Sequence, residues 1–325
     1  MDFAPDMVIV SETSRMHYHL EKKLGSGGEG QVWLANCDDG PVAVKLIEGA
    51  LTEKAQNEIC MTRAALECVE GNVPRLHEAS SASIAPGTAP ELTIIVMEYI
   101  HGVNAGKLAE KRGWRIPEDA AAVLIREICS VLVKLHKADM IHCDVKNENI
   151  LVSSEGQVYL CDFGISIIRS GNDRYTSRGT PMHMAPELTY DPDWRKSYWG
   201  HAAKPEFNQK VDIWALGITA MDLVLGRERT IELTGMMKFA NAKDPVRAWL
   251  QSIASSPAPV IPDESPVSMD FRRFLQLCLV RVPDDRASAA DLLRNRFLMV
   301  GEEEVIAFQA WVRDSLGERD PSLLY

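Results

Sequence analysis

The stretch Ile141-His142-Cys143-Asp144-Val145-Lys146-Asn147-Glu148-Asn149 sets a carboxylate, an ammonium and an amide at offsets 0, +2 and +5. Those types suit one metal-assisted group transfer. Asp144 can hold an acceptor hydroxyl and take its proton. Lys146 can neutralise a moving phosphoryl group, and Asn149 can ligate a divalent cation such as Mg²⁺. Asp162-Phe163-Gly164 follows, a second carboxylate beside a flexible glycine.

These residues need elements that hold a polyphosphate and close over it. Leu24-Gly25-Ser26-Gly27-Gly28-Glu29-Gly30-Gln31-Val32 reads G-x-G-x-x-G-x-V. Its glycines let backbone amides approach phosphate oxygens. Val32-Trp33-Leu34-Ala35 after it reads as a strand, whereas a dinucleotide fingerprint wants a helix there. Val42-Ala43-Val44-Lys45 is a further apolar strand ending in a lysine. Residues 52–69 predict a helix, with Thr52 as N-cap and Ala55, Ile59, Leu66 and Val69 toward one face. Leu92 to Val96 predicts a buried strand, and Ser80 to Pro90 a low-complexity loop before it. Glu118 to about Ala138 predicts a long helix with a core stripe of Leu124, Ile128, Val131, Leu132 and Leu135. Ile150–Ser153 and Gln157–Cys161 predict a hairpin leading into Asp162.

Together these motifs resemble the eukaryotic-type protein kinases. The wording of H-x-D-x-K-x-x-N, D-F-G and Gly179-Thr180-Pro181-Met182-His183-Met184-Ala185-Pro186-Glu187 is closest to the sterile (STE) group of Ser/Thr kinases. The resemblance implies an α+β bilobal fold: a small, mostly antiparallel β lobe with one regulatory helix, and a large, mostly α-helical lobe. It implies a lead-in at 1–17, a kinase domain at 18–299 (lobes about 18–100 and 101–299) and a C-terminal helical extension at 300–325.

The implied activity is transfer of the γ-phosphoryl of ATP, with Mg²⁺, to Ser/Thr hydroxyls of proteins; the alternative is an ATP-binding scaffold of pseudokinase type. By the same resemblance Gly25, Ser26, Gly27, Gly28, Glu29, Gly30, Val32 and Ala43 line the nucleotide site. Lys45 holds its phosphates. Glu58 pairs with Lys45, with Glu53 as rival because the gap from Lys45 is short. Met97 is the gatekeeper, and Glu98 to Ile100 form the hinge. Asp144 and Lys146 are catalytic, Asn149 and Asp162 hold metal, and Thr180 faces the substrate. Asp212, in Val211-Asp212-Ile213-Trp214-Ala215-Leu216-Gly217, caps the catalytic loop, and Arg286 pairs with Glu187. Lys146 and Thr180-Pro181 argue for Ser/Thr over Tyr acceptors. Met182-His183 departs from the aromatic pair usual in the sterile group.

Cys143 is the largest departure. The family usually carries Arg there, which binds a phosphate on the switch segment. Activity independent of such a phosphate is therefore expected; Thr176 and Ser177, beside Arg174 and Arg178, are the candidate sites otherwise.

The net charge of −11 argues against a nucleic-acid or anionic-membrane partner. No run of about eighteen apolar residues predicts a membrane span, and residues 1–10 lack the basic region of a secretory signal. Seven cysteines without a C-x-x-C pair suit a reducing compartment, the cytoplasm or the nucleus. His17 and His19 read as surface or packing residues. Residues 192–205, with Trp194, Tyr198, Trp199 and His201, read either as a docking patch for a partner or as a segment packed on the large lobe. Residues 302–316 predict a helix docked by Val305, Phe308 and Val312, with Trp311 beside it; no further domain is expected beyond it.

Overall fold

The computed structural model describes residues 3–27, 30–49, 51–84, 92–169, 179–189, 208–239 and 241–317, apart from the side chains of 254 and 255. Gly28, Glu29, Thr176, Ser177 and the 192–205 segment lie outside the described residues.

The small lobe is an antiparallel sheet closed in the order β1-β2-β3-β4-β6-β5. Its strands are β1 (Val8–Ser11), β2 (His17–Gly27), β3 (Gly30–Cys37), β4 (Gly40–Glu48), β5 (Leu76–Ser83) and β6 (Leu92–Glu98). Alternation puts Tyr18, Leu20, Trp33, Val44 and Ile94 inside, each no more than 3% exposed. Helix α1 (Glu53–Cys68) crosses between β4 and β5. Thr52 caps it by accepting from the Ala55 N–H, and Ala55, Ile59 and Ala65 face inward.

Two sequence expectations are corrected here. The lead-in is not separate from the lobe: β1 pairs with β2 (Ile9↔Tyr18) and with β5 (Val10↔Ser83), which closes the sheet. The Glu78 carboxylate pins this closure, accepting from the hydroxyls of Ser11, Ser14 (2.8 Å) and Tyr18 (2.7 Å). Burial alone would raise the Glu78 carboxyl; the hydroxyls outweigh it and hold it below the usual range. The predicted loop also starts later, because Ser80, Ser81 and Ala82 extend β5 against Ile94, Thr93 and Leu92. His17 and His19 are exposed, and no group of three or more His, Cys, Asp or Glu suited to a metal occurs among the described residues.

The large lobe forms around α3 (Glu118–Lys137) and α4 (Lys210–Leu225). Between β6 and α3 run β7 (Gly102–Asn104) and α2 (Ala105–Lys111). Acidic residues open α3 and Lys134, His136 and Lys137 close it, which complements the helix dipole. The predicted stripe is wholly buried, from Leu124 to Leu135. Strands β8 (Met140–Ile141), β9 (Ile150–Ser153), β10 (Val158–Leu160) and β11 (Ile167–Ile168) frame the catalytic stretch. Then come α5 (Arg227–Leu233), α6 (Pro245–Ser255), α7 (Met269–Cys278), α8 (Ala289–Leu292) and α9 (Glu302–Leu316). Helix α9 buries Phe308, Val312 and Leu316 in the large-lobe core, with Val305 and Trp311 half-buried beside them. No helix among the described residues is long and apolar enough to cross a membrane.

One ion pair ties the segment after Thr180 to the far end of this lobe. Arg286, 1% exposed, meets Glu187 at 2.7 and 3.0 Å. Its remaining N–H groups donate to the carbonyls of Val280, Lys210 and Arg281, and its guanidinium lies 5.2 Å from the Trp214 ring centre. All five donors are used. Arg286→Ala is expected to cost roughly 3–5 kcal/mol in a urea denaturation series, because it strands the Glu187 charge. Arg286→Lys should recover little of that, since an ammonium cannot reproduce the planar fork.

Candidate active site

The cleft face of the small lobe follows from strand register. Ala43 and Lys45 lie on one face of β4. Their partners Val32 (opposite Lys45) and Met97 (opposite Ala43) share that face. Val32, Ala43 and Met97 are half-buried while Lys45 is buried, so a slot lined by small and apolar groups ends at an ammonium. Gly25, Ser26 and Gly27 end β2, and Gly30 opens β3 with φ +148°. A Cβ at Gly30 would lie 2.3 Å from the Leu46 carbonyl oxygen, so only glycine fits there.

Lys45 Nζ contacts Glu58 Oε2 at 2.6 Å, and both side chains are at most 10% exposed. Glu53 is exposed, so the helix resolves the choice in favour of Glu58. Lys45 Nζ also lies 3.9 Å from Asp162 Oδ1. Glu98 turns its carboxylate to Arg75 and donates its N–H to the Arg75 carbonyl at 2.8 Å. Ile100 is half-buried.

Asp144 is 7% exposed and is held from four directions. Its Oδ1 accepts from the Thr180 N–H (2.9 Å) and hydroxyl (2.7 Å). Its Oδ2 accepts from Lys146 Nζ (2.6 Å) and Asn149 Nδ2 (3.0 Å). Lys146 also donates to Thr180 Oγ1 at 2.7 Å. A carboxylate has about four acceptor positions, so an incoming hydroxyl enters by displacing one donor. Burial by itself would raise the Asp144 carboxyl. The Lys146 ammonium and the Thr180 hydroxyl outweigh it and hold the group below the usual carboxylate range.

Backbone geometry presents these groups. Cys143 (φ +68°) and Asp162 (φ +67°) adopt left-handed conformations uncommon for non-glycine residues. Asp212, fully buried, holds the first by accepting from the N–H groups of His142 (2.9 Å) and Cys143 (2.8 Å). Gly179 (φ +111°) lets the segment before Thr180 pass the same loop, since a Cβ there would sit 2.7 Å from the Cys143 carbonyl oxygen. His142 accepts from the Asp144 N–H at Nδ1 and so donates from Nε2 to the Cys161 carbonyl (3.1 Å). Phe163 packs edge-on against His142 at 4.9 Å. Cys143 itself is buried. Cys161 is partly exposed, but burial of its thiol pushes it above its ordinary range and its Sγ donates to the Asn149 carbonyl, which suits an inert thiol.

Three features were missed at the level of sequence. Asn57 Nδ2 donates to the carbonyls of Gly164 (2.9 Å) and Ser166 (3.2 Å), tying α1 to the Asp162 segment. The polar residue before Glu58 is the only local signal. His183 is 3% exposed, and burial, reinforced by Arg227, lowers it to about 3, so its ring is neutral. Arg227 bonds to Asp222, which bonds to Asn147 of the catalytic stretch. An arginine and an aspartate five apart read in sequence as an ordinary surface pair.

Comparison with known proteins agrees with this geometry. The family model described as protein kinase domain matches residues 18–298. The chain therefore belongs to the protein kinase family, and the relatives it resembles carry sterile-group names. It is 37% identical over 211 residues to the serine/threonine-protein kinase pakA of Talaromyces marneffei (64% of this chain, 29% of the relative). It is 32% identical over 309 residues to the serine/threonine-protein kinase ste20 of Aspergillus oryzae (92% and 32%). It is 29% identical over 282 residues to the serine/threonine-protein kinase max-2 of Caenorhabditis elegans (86% and 39%). The chain thus spans 29–39% of the length of these relatives.

The lowered Asp144 carboxyl carries a sign. Its ionised form contributes stability that is present above the unfolded-state pKa and is lost as pH falls through the lower native value. Thr180→Val removes a hydroxyl donor and should move the native value up, so the loss begins at higher pH. A carboxyl-carbon NMR titration of the two proteins checks this; an unmoved or lowered Asp144 contradicts it.

Proposed function

We propose that this chain is a protein serine/threonine kinase that moves the γ-phosphoryl of MgATP to Ser or Thr hydroxyls of protein substrates. The observation that carries the reading is the closed triangle of Asp144, Lys146 and Thr180, at 2.6–2.7 Å. Lys45, positioned by Glu58, binds the nucleotide phosphates, with Gly25, Ser26, Gly27 and Gly30 beside them. The Asn149 amide oxygen and the Asp162 carboxylate are hard oxygen donors, and the Asp162 side chain is 45% exposed. Such a set fits Mg²⁺, which takes few protein ligands beside phosphate oxygens. When bound, the ion neutralises charge on the phosphates.

Asp144 orients the acceptor hydroxyl. A carboxyl held this low is a poor base toward an alcohol in the ground state, so it takes the proton as the phosphoryl group transfers. Lys146 bridges the carboxylate and Thr180 and can follow the charge that moves across to the acceptor. The scaffold alternative gains nothing here, because every required side chain present among the described residues is also brought together. The cysteine spacing supports placing the activity in the cytoplasm or nucleus, and the aromatic-rich 192–205 segment supports a docking role there for a protein partner.

Purified protein with labelled MgATP and a mixed peptide library should incorporate phosphate on Ser and Thr. Asp144→Asn should lower turnover by about 10²–10⁴-fold with nucleotide binding retained. Binding without incorporation under any condition would favour the scaffold.

We also propose that activity is independent of phosphate on the segment before Gly179, because Cys143 supplies no cation to receive it. The Thr176→Ala, Ser177→Ala double variant should keep turnover within about tenfold of wild type; a loss of about a hundredfold, or 2.7 kcal/mol of barrier, contradicts the proposal.

A further inference from the structure

Next to the transfer residues lies a partly buried ionic cluster that the chemistry above leaves unused. Asp222, in the last turn of α4, is 5% exposed. Its Oδ2 accepts from Asn147 Nδ2 at 2.8 Å and from Arg227 Nη1 at 2.9 Å. Gly226 (φ +87°) turns the chain between α4 and α5 and brings Arg227 back over Asp222. The same Nη1 lies 3.7 Å from Glu148 Oε1. Asn147 and Glu148 stand between Lys146 and Asn149, so the cluster is continuous with the stretch that receives the acceptor.

Two properties set it apart from an ordinary ion pair. Its charge does not balance among the described residues: Asp222 and Glu148 share one guanidinium. Its acceptors are also unfilled. Asn147 Oδ1 and Asp222 Oδ1 have no hydrogen-bond donor among the described residues, and both ring nitrogens of the neighbouring His183 lack partners as well. These are the buried side-chain polar atoms in that condition among the described residues, and the three residues that carry them come from the catalytic stretch, α4 and the turn after Thr180. Unfilled buried acceptors are costly. Burial, only partly offset by Arg227, raises the Asp222 carboxyl, as expected for an under-compensated site. Glu148 and Arg227 are 50% and 38% exposed, so solvent and peptide reach the cluster from their side.

We propose that Arg227 is an internal plug in an acidic recess beside the acceptor site, withholding from the substrate peptide two carboxylates that would otherwise bind a flanking arginine. The inference rests on the protein-kinase reading. With Arg227 in place the recess offers no strong selection for a basic residue. Without it, Glu148, Asp222 Oδ1 and the Asn147 side-chain oxygen are left as an acceptor set with no cation, which suits the planar, multi-donor guanidinium of a substrate arginine. Arg227 is then a specificity-determining residue, acting by occupying a subsite.

The test is a set of peptides with one common acceptor and a single Arg or Ala at each flanking position, assayed for kcat/KM. Wild type is expected to treat the Arg and Ala peptides alike. Arg227→Ala should gain about tenfold, or 1.4 kcal/mol, for Arg at one or two positions. Arg227→Lys should keep the wild-type profile, and adding Glu148→Gln to Arg227→Ala should take back most of the gain. A wild type that already prefers Arg tenfold at such a position overturns the plug, as does an Arg227→Ala profile identical to wild type. If thermal melting shows Arg227→Ala unfolded, Arg227→Gln takes its place, and the wild-type profile stands as a test by itself. Transfer with unchanged profiles defeats this inference alone; no transfer to any peptide defeats the kinase reading and the inference with it.

Discussion

The buried carboxylate of Asp212 accepts the backbone N–H groups of His142 and Cys143 and meets the His136 ring at 2.9 Å. It has no access to solvent, so its charge is satisfied only while the catalytic stretch keeps that one shape. The left-handed conformation of Cys143 is the cost of the arrangement, and the three contacts to Asp212 offset it. From this bend Asp144 emerges toward Lys146, Asn149 and Thr180. The chemistry depends on a carboxylate that takes no part in it.

A second layer of contacts joins the lobes. Glu58 holds Lys45, and the preceding residue, Asn57, holds the carbonyls on either side of Ile165. One turn of α1 therefore touches both Lys45 and the segment that carries Asp162. Lateral movement of α1 would break both links together. Phe163, packed on His142, connects that segment in turn to the catalytic stretch. Positioning is thus concentrated in a few short polar contacts between rigid elements, which suits a reaction governed by geometry and electrostatics.

Cys143 puts a buried thiol at the bend of the loop. In this position a side chain that is buried and uncharged leaves the bend held by Asp212 from one side and by the close pass of Gly179 from the other. Both holds are internal to the large lobe. Arg227 follows a related pattern, since a charge supplied by the chain itself folds onto Asp222, which bonds to Asn147 of the same stretch. The active site is stabilised largely by its own residues.

Much of this was legible in the sequence because it depends on local spacing. Offsets of +2 and +5 within one loop placed Lys146 and Asn149 about Asp144, and helical periodicity anticipated α1, α3 and α9. Short apolar runs, Val32 to Ala35 and Val42 to Val44, marked β3 and β4. The register that sets Met97 opposite Ala43 was not written in either strand alone. Strand β1 was hidden because three apolar residues carry little pattern, and its partner Ser83 lies far along the chain. Asn57 was hidden because its acceptors lie 107 and 109 residues away. The sequence by itself determined which chemical groups exist and how the nearest ones are spaced. Only the tertiary structure decided that Glu58 rather than Glu53 meets Lys45, that the first residues close the sheet, and that Arg227 folds back onto Asp222. Pairing across long separations is selected by packing of whole elements, and burial decides which of several equivalent charges must find a partner.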